Sequence, residues 1–272
     1  MSGRVTVLGV QIDALTMAGA IAQFESLVAR RQPALAFSLN VDICMKIHRD
    51  PELRNIYDHA DLVLVDGTPM TWAARFLGSP LPERVSGSEF LPAFCSVAAV
   101  RGYRVFLLGG LPGVAERAKQ RLESDNPGLR IVGTYAPPFG FEHDERENAQ
   151  MVSMIGAASP DILFVALGSP KEAKWLFRFR EALQVPVSMA VGSSFDYLAG
   201  RLKRAPQWLQ RCGLEWTYRL IQEPGRLWRR YLVENPPFVY HVIRERLRSR
   251  PRSRPSAAGP ETPDRRIRVR RG

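Results

Sequence analysis

Residues 62–78 read LVLVDGTPMTWAARFLG. Four apolar residues, Leu62 to Val65, end abruptly at Asp66-Gly67, and a stretch of helical character follows. A short apolar run bounded by a turn signal suits a strand buried on both faces. Asp66 then stands at the end of a buried strand, where a carboxylate is either part of a turn or a base delivered to a cleft.

The pattern repeats outward along the chain. LAFSLN (35–40), YRVFLLGG (103–110), LRIVGTY (129–135), DILFVALG (161–168) and VPVSMAVG (185–192) are short, apolar and rich in Val, Leu, Ile and Phe. Amphipathic stretches such as GVAERAKQRLESD (113–125) and KEAKWLFRFREAL (171–183) lie between them. This alternation predicts an α/β fold with a largely parallel sheet flanked by helices, and ligands in such folds bind beyond the carboxyl ends of the strands. Those ends are Ser38-Leu39-Asn40, Asp66-Gly67, Gly109-Gly110, Gly168-Ser169-Pro170 and Gly192-Ser193-Ser194. Each alone serves as a tight turn or a helix cap. Together they suggest a nucleotide or phosphate site.

Composition sets the outer bounds. The chain has 272 residues, 45% hydrophobic and 24% charged, which is ordinary for a soluble globular protein. The opening MSGRVTVLGV lacks the apolar core of a signal peptide, and no apolar run reaches the roughly 18 residues of a membrane span. Three widely spaced cysteines, Cys44, Cys95 and Cys212, form neither a disulfide framework nor a metal pattern, so a reducing cytoplasm is expected. The formal charge of +11 is uneven: residues 1–200 carry 19 Lys and Arg against 21 Asp and Glu, residues 201–272 carry 19 against 6. The basic quarter points to an anionic partner, lipid or nucleic acid.

Three regions are expected: a body over 1–200, a basic aromatic helical appendage over 201–248, and a disordered Arg/Pro-rich tail over 249–272. In the appendage, Arg219, Arg226, Arg229 and Arg230 alternate with Trp and Tyr, and Pro206, Pro224, Pro236 and Pro237 cut it into short helices. Such interleaving suits a membrane interface. A helical subdomain packed on the body with an arginine face outward is the competing account.

Gly109, Gly110 and Gly113 lie between a strand and a helix, where backbone N–H groups can bind a diphosphate. The GxGxxG spacing of a dinucleotide site and the GxxxxGK[ST] loop of a P-loop protein are both missing. His48, His59, His143 and His241 form no paired-ligand spacing, and no DxD pair appears. Neither a metal nor a cofactor is therefore expected; backbone amides, Arg and Lys would carry any diphosphate charge.

The chain resembles the WecG/TagA/CpsF family of bacterial glycosyltransferases from about residue 4 to about residue 232. The resemblance rests on SLNVD, ADLVLVDGTPMTWAARFLGSPLPERVSGSEF, VFLLGG, GTYAPPFG, LGSPKEAKW and VGSSFDYLAGRLKRAPQWLQRCGLEWTYRLIQEPGRLWRRYL. It implies a Rossmann-like body and an inverting, metal-independent transfer from a UDP-sugar to a polyprenyl-diphosphate-linked saccharide at the cytoplasmic leaflet. It also implies an appendage that associates with the membrane and completes the active site. Asp66 matches the proposed general base. Asn40 and Arg84 match polar positions of the cleft, Ser38 stands where Thr is common, and Tyr135 and Asp196 match positions facing the nucleoside. Arg211, Arg219, Arg226 and Arg229 match the basic appendage, as clamps on a diphosphate or as solvated surface. Lys171 and Glu172 fall in SPKEAKW where the family commonly reads APKQEKW, so Glu172 replaces a usual Gln. An ionised Glu only accepts hydrogen bonds, which suits sugar hydroxyls better than an acetamido carbonyl and suggests a donor other than UDP-N-acetylmannosamine.

The main alternative is a binding module that uses the basic C-terminus on anionic lipid or nucleic acid. No nucleic-acid module is visible, and the aromatic interleaving favours lipid, so no nucleic-acid partner is expected. A homo-oligomer is compatible with the exposed amphipathic appendage.

Overall fold

The structure, a computed structural model, describes residues 3–248 and every side chain among them except those of Gln207 and Arg211. The tail expected over 249–272 lies outside the described residues.

Among the described residues, eight strands form two sheets. β1 (Arg4–Val7) and β2 (Val10–Asp13) make an antiparallel hairpin. Its two-residue turn, Leu8-Gly9, has both φ angles positive (49° and 76°), the twist that favours a tight hairpin. The hairpin covers the edge of the main sheet, where Asp13 Oδ2 accepts the backbone N–H of Val63 at 2.8 Å.

The main sheet contains β3 (Ala34–Leu39), β4 (Leu62–Val65), β5 (Arg104–Gly109), β6 (Arg130–Tyr135), β7 (Ile162–Ala166) and β8 (Val187–Ala190). All its pairs are parallel, in the order β4-β3-β8-β7-β5-β6. The fold is the expected α/β arrangement, and each of the six apolar runs is a strand. The near-continuous hydrophobicity of all but the edge strand β6 follows from burial on both faces. Phe37, Val63, Phe106 and Leu163 enter the core on one side, and Ala36, Leu64, Leu107 and Phe164 enter the core on the other. The two amphipathic stretches form the helices Val114–Asp125 and Lys171–Leu183.

The topology gathers the polar strand ends. β3 and β4 pair with Leu39 beside Val65, so Asn40 and Asp66 leave neighbouring strand ends. The chain runs from β5 outward to β6 but from β7 back to β8, which puts the switch point, where such sheets usually bind ligands, beyond the ends of β5 and β7. Gly109 lies there with φ 111°, and a Cβ on it would fall 2.4 Å from the Ala166 carbonyl oxygen.

Past residue 200 the chain forms the short helices Gln207–Arg211, Glu215–Gln222, Pro224–Arg229 and Pro237–Arg248. Leu227, Phe238 and Val242 are buried. Arg230 adds an ion pair to the buried carboxylate of Asp42 at 3.0 Å, which Lys46 also meets at 2.8 Å. Among the described residues no helix is long and apolar enough to cross a membrane.

Candidate active site

Asp66 is the first residue beyond β4. Its N–H continues the strand ladder to the Leu39 carbonyl at 2.9 Å. Gly67, with φ 92°, then turns the chain into the helix Thr68–Phe76, a conformation open to glycine. The Asp66 side chain keeps 31% of its surface open. Burial pushes its carboxyl up to about 6, and the Glu215 carboxylate adds to the rise; Arg84 and Arg219 pull the other way.

Arg84 is brought alongside because Val85 N–H bonds the Val65 carbonyl at 3.0 Å. Its Nη2 donates to Glu89 Oε1 at 2.6 Å and to Gln210 Oε1 at 3.3 Å. Its Nη1 stands 4.0 Å from Asp66 Oδ1 and 3.9 Å from Glu215 Oε2. Ser86 Oγ donates to Glu89 Oε2 at 2.8 Å and holds that carboxylate in place. Arg204 adds a second cation, 3.7 Å from Glu89, with Nη2 donating to Ser88 Oγ at 2.6 Å.

The appendage forms the roof. Thr68 Oγ1 donates to the Gln210 carbonyl at 2.8 Å. Gly213 lies against the Trp72 ring, where a Cβ would sit only 2.7 Å from it. Arg219 Nη2 donates to Ser193 Oγ at 3.1 Å, just past β8, and its guanidinium stacks over Tyr197 at 5.8 Å. A cleft of about 540 Å³ remains beside Arg84, lined also by Thr71, Glu89, Arg204 and Gln210. A carboxylate with a raised pKa, in the field of Arg84 and Arg219 and beside a cleft that Arg84 lines, can take a proton from a hydroxyl while the arginines hold an anionic group. Among the described residues no group of three or more His, Cys, Asp or Glu is placed to hold a metal ion.

The profile of the glycosyl transferase WecG/TagA/CpsF family matches residues 5–252. The chain belongs to that family. It is a glycosyltransferase. A protein of Bacillus spizizenii named N-acetylglucosaminyldiphosphoundecaprenol N-acetyl-beta-D-mannosaminyltransferase is 32% identical over 219 residues, 80% of this chain and 82% of its own. Proteins of the same name are 31% identical in Bacillus subtilis, over 78% of this chain and 80% of its own, and 28% identical in Staphylococcus aureus, over 89% and 93%.

In this WecG/TagA/CpsF member, Asp66, Arg84 and Arg219 come together. Ser38 and Asn40 lie on the adjoining strand end, where Asn40 Oδ1 caps the helix Val41–Ile47 by accepting from Ile43 N–H at 3.0 Å. Gly109 permits the close approach of β5 and β7, and the Gly110 N–H is already bonded to Ala166 at 2.9 Å, so that amide is not turned to a ligand. Glu172 is turned into the fold. It is 4% exposed and accepts the Gly168 N–H at 3.2 Å, tying down the loop after β7. Burial pushes its carboxyl up to about 7, while backbone N–H groups of Gly168, Gly192 and Leu167 oppose the rise.

Other positions are dispersed. Tyr135 ends β6 and donates to Glu147 at 2.8 Å. It lies at the opposite sheet edge from Asp66, five strand spacings or roughly 24 Å away. Lys171 pairs with Glu142. Asp196 is bonded to Arg201 at 2.6 Å, and Arg201 and Arg226 both meet Glu223, at 3.6 and 2.9 Å. Arg229 pairs with Glu234 at 3.3 Å on the outer surface. The Arg211 side chain lies outside the described residues. Glu89, Arg204, Gln210 and Glu215 are the site residues that sequence reading missed. Glu215 alone carried a signal, as the single acid among five cations over 201–222.

Proposed function

We propose that this glycosyltransferase moves a sugar from a UDP-sugar to a saccharide carried on a polyprenyl diphosphate, with inversion at the anomeric carbon. The observation that carries the reading is the partly open Asp66 beside Arg84, which lines the cleft together with Gln210 and also faces Glu215. The acceptor hydroxyl gives its proton to Asp66 as its oxygen bonds the anomeric carbon. On the opposite face the bond from that carbon to the UDP oxygen breaks, and its electron pair leaves with UDP. Arg84 and Arg219 supply positive charge to the departing diphosphate, so the reading calls on no metal and no cofactor.

The names of the Bacillus and Staphylococcus relatives support a polyprenyl-diphosphate acceptor and make N-acetylmannosamine the first donor to try, with hexoses second. Exposed Trp208, Ile221, Trp228, Leu232 and Val233, beside Arg226 and Arg229, support peripheral docking on an anionic membrane surface, at the cytoplasmic face. The same exposed side chains suit a second copy of the chain when no bilayer is present.

The test is transfer from a panel of UDP-sugars to lipid-diphosphate acceptors in vesicles, with a chelator present, comparing wild type with Asp66→Asn. Transfer by wild type alone, from one preferred donor, is the expected result. Equal transfer by both proteins would remove Asp66 as the base. Loss of wild-type transfer on chelation would overturn the metal-free account.

A further inference from the structure

The helix Pro237–Arg248 presents two unlike surfaces. Phe238 and Val242 are buried against the body. Val239, Ile243 and Leu247, spaced at i, i+4 and i+8, are 61%, 47% and 63% exposed, with Tyr240 beside them at 62%. That stripe has no cover among the described residues. Between the stripe and the body lies a second groove, of about 190 Å³, lined by Leu8 at the hairpin tip, His48, His241, Arg244, Glu245 and Arg248.

The groove is a cationic wall. The His48 and His241 rings lie 4.4 Å apart, one from the body and one from the helix. Arg244 and Arg248 follow His241 at helical spacing and complete one side. Arg49 adds its field from the body, and Arg54, whose Nη2 donates to the Gly9 carbonyl at 2.8 Å, stands behind the hairpin tip beside Asp58. Glu245 is the one acid in the lining and is itself engaged in interactions within the protein. Cys44 lies behind it, its thiol pushed up to about 12 by burial and kept neutral.

We propose that this groove is a headgroup site for an anionic phospholipid, with Arg244 and Arg248 on the phosphate and His48 and His241 as hydrogen-bond donors, His241 the one that strengthens on protonation. This rests on the membrane reading above and adds a discrete site to it. Lipid is favoured over a free phosphate because the apolar stripe lies on the same helix as the cations: a chain that inserts Val239, Ile243 and Leu247 among acyl tails brings the groove to headgroup depth. Burial, and after it the fields of the neighbouring His48, Arg244 and Arg49, hold His241 below its ordinary range. It is therefore neutral in the empty groove at neutral pH, and an incoming phosphate raises it toward the charged form. Binding should thus tighten as pH falls.

The test is flotation of the full chain with phosphatidylcholine vesicles, with and without phosphatidylglycerol, at about pH 6 and about pH 8. Wild type should float with the anionic vesicles, more tightly at the lower pH. Arg244→Gln should weaken binding well beyond the roughly fivefold worth of one charge near the surface. Arg246→Gln removes the same charge from the same helix on the side of Gly78, outside the groove, and should cost no more than that roughly fivefold diffuse share. Equal losses would reduce the groove to diffuse attraction and overturn the proposal while leaving membrane docking intact. His48→Gln with His241→Gln should abolish the pH difference, with unchanged thermal unfolding showing that the fold persists; a retained pH difference would overturn the histidine role. Failure of wild type to float would sink the site and the membrane reading together. If inorganic phosphate shifted the His48 and His241 imidazole resonances as effectively as vesicles do, the site would be for soluble phosphate instead.

Discussion

Glu215 of the roof faces Arg84 of the body at 3.9 Å, while the same guanidinium nitrogen stands 4.0 Å from Asp66. One arginine is thereby shared between Asp66 and a carboxylate brought from about 150 residues away in the chain. The roof acts on Asp66 twice: directly, by like-charge repulsion, and indirectly, by drawing on the cation that would otherwise neutralise it.

Replacing Asp66, the proposed base, should separate activity from stability. Asp66→Asn should lower transfer by about 10²–10⁴-fold, the usual worth of a positioned base. Its folded pKa of about 6 lies above the ordinary value of 3.8, so ionised Asp66 costs stability. That penalty is absent at low pH, builds between the two values and is complete above about 6. Asp66→Asn should therefore melt higher than wild type near neutral pH, and the gap should close in acid. Thermal unfolding over pH checks this.

Glu215→Gln and Arg84→Ala should move the acidic limb of kcat/KM in opposite directions. Without the Glu215 charge the limb shifts down toward the ordinary Asp range. Without Arg84 it shifts up, because Glu89 and Glu215 then act on Asp66 unopposed by that cation. Shifts of the same sign in both variants would remove charge sharing as the link. Arg84→Lys should recover little, since one ammonium cannot reproduce a fork that reaches Glu89 and Gln210 while facing Asp66 and Glu215.

Asp42→Ala should loosen the appendage. It leaves Lys46 and Arg230 without their shared buried partner. The expected cost is about 3 kcal/mol in denaturant unfolding, with faster hydrogen exchange over 224–248. Unchanged exchange there would mean that Leu227, Phe238 and Val242 hold the segment without the ion pair.

Glu172→Gln tests an expectation that the geometry redirects. The side-chain oxygen of Gln still accepts the Gly168 N–H, but the charge is gone. If Glu172 anchors the loop, donor ranking should stay the same. Stability should rise above about pH 7, because the raised carboxyl is penalised only when ionised and the penalty is complete above its folded value. A changed donor ranking would return Glu172 to contact with the sugar.

β3, β4, β5, β7 and β8 were legible because burial on both faces writes a nearly unbroken apolar run, whereas the edge strand β6, where Ile131 alone is buried, showed only in its short apolar start. The hairpin was not legible. VTV and QID are short and half polar, and their turn places Leu8 in a left-handed conformation that residue type does not advertise. In the site, Asp66 was legible because it ends an apolar run, and Arg84 only through the resemblance to the WecG/TagA/CpsF family; the Val85–Val65 bond that sets them side by side has no local signature. Tyr135 and Lys171 also mark strand ends, but local sequence does not say which strands are neighbours. The order β4-β3-β8-β7-β5-β6 sends Tyr135 to the far edge. Glu89 and Gln210 were missed because their meeting at Arg84 spans 126 residues for Gln210 and no local pattern records it.

Gly213 against Trp72 leaves no room for a methyl group. The height of the roof is thus set by a contact between the smallest and the largest side chains, neither of them a reacting group. Among relatives, the two positions should trade volume: where 213 gains a side chain, 72 should shrink. A pair that breaks this rule would mark a chain whose roof rests elsewhere.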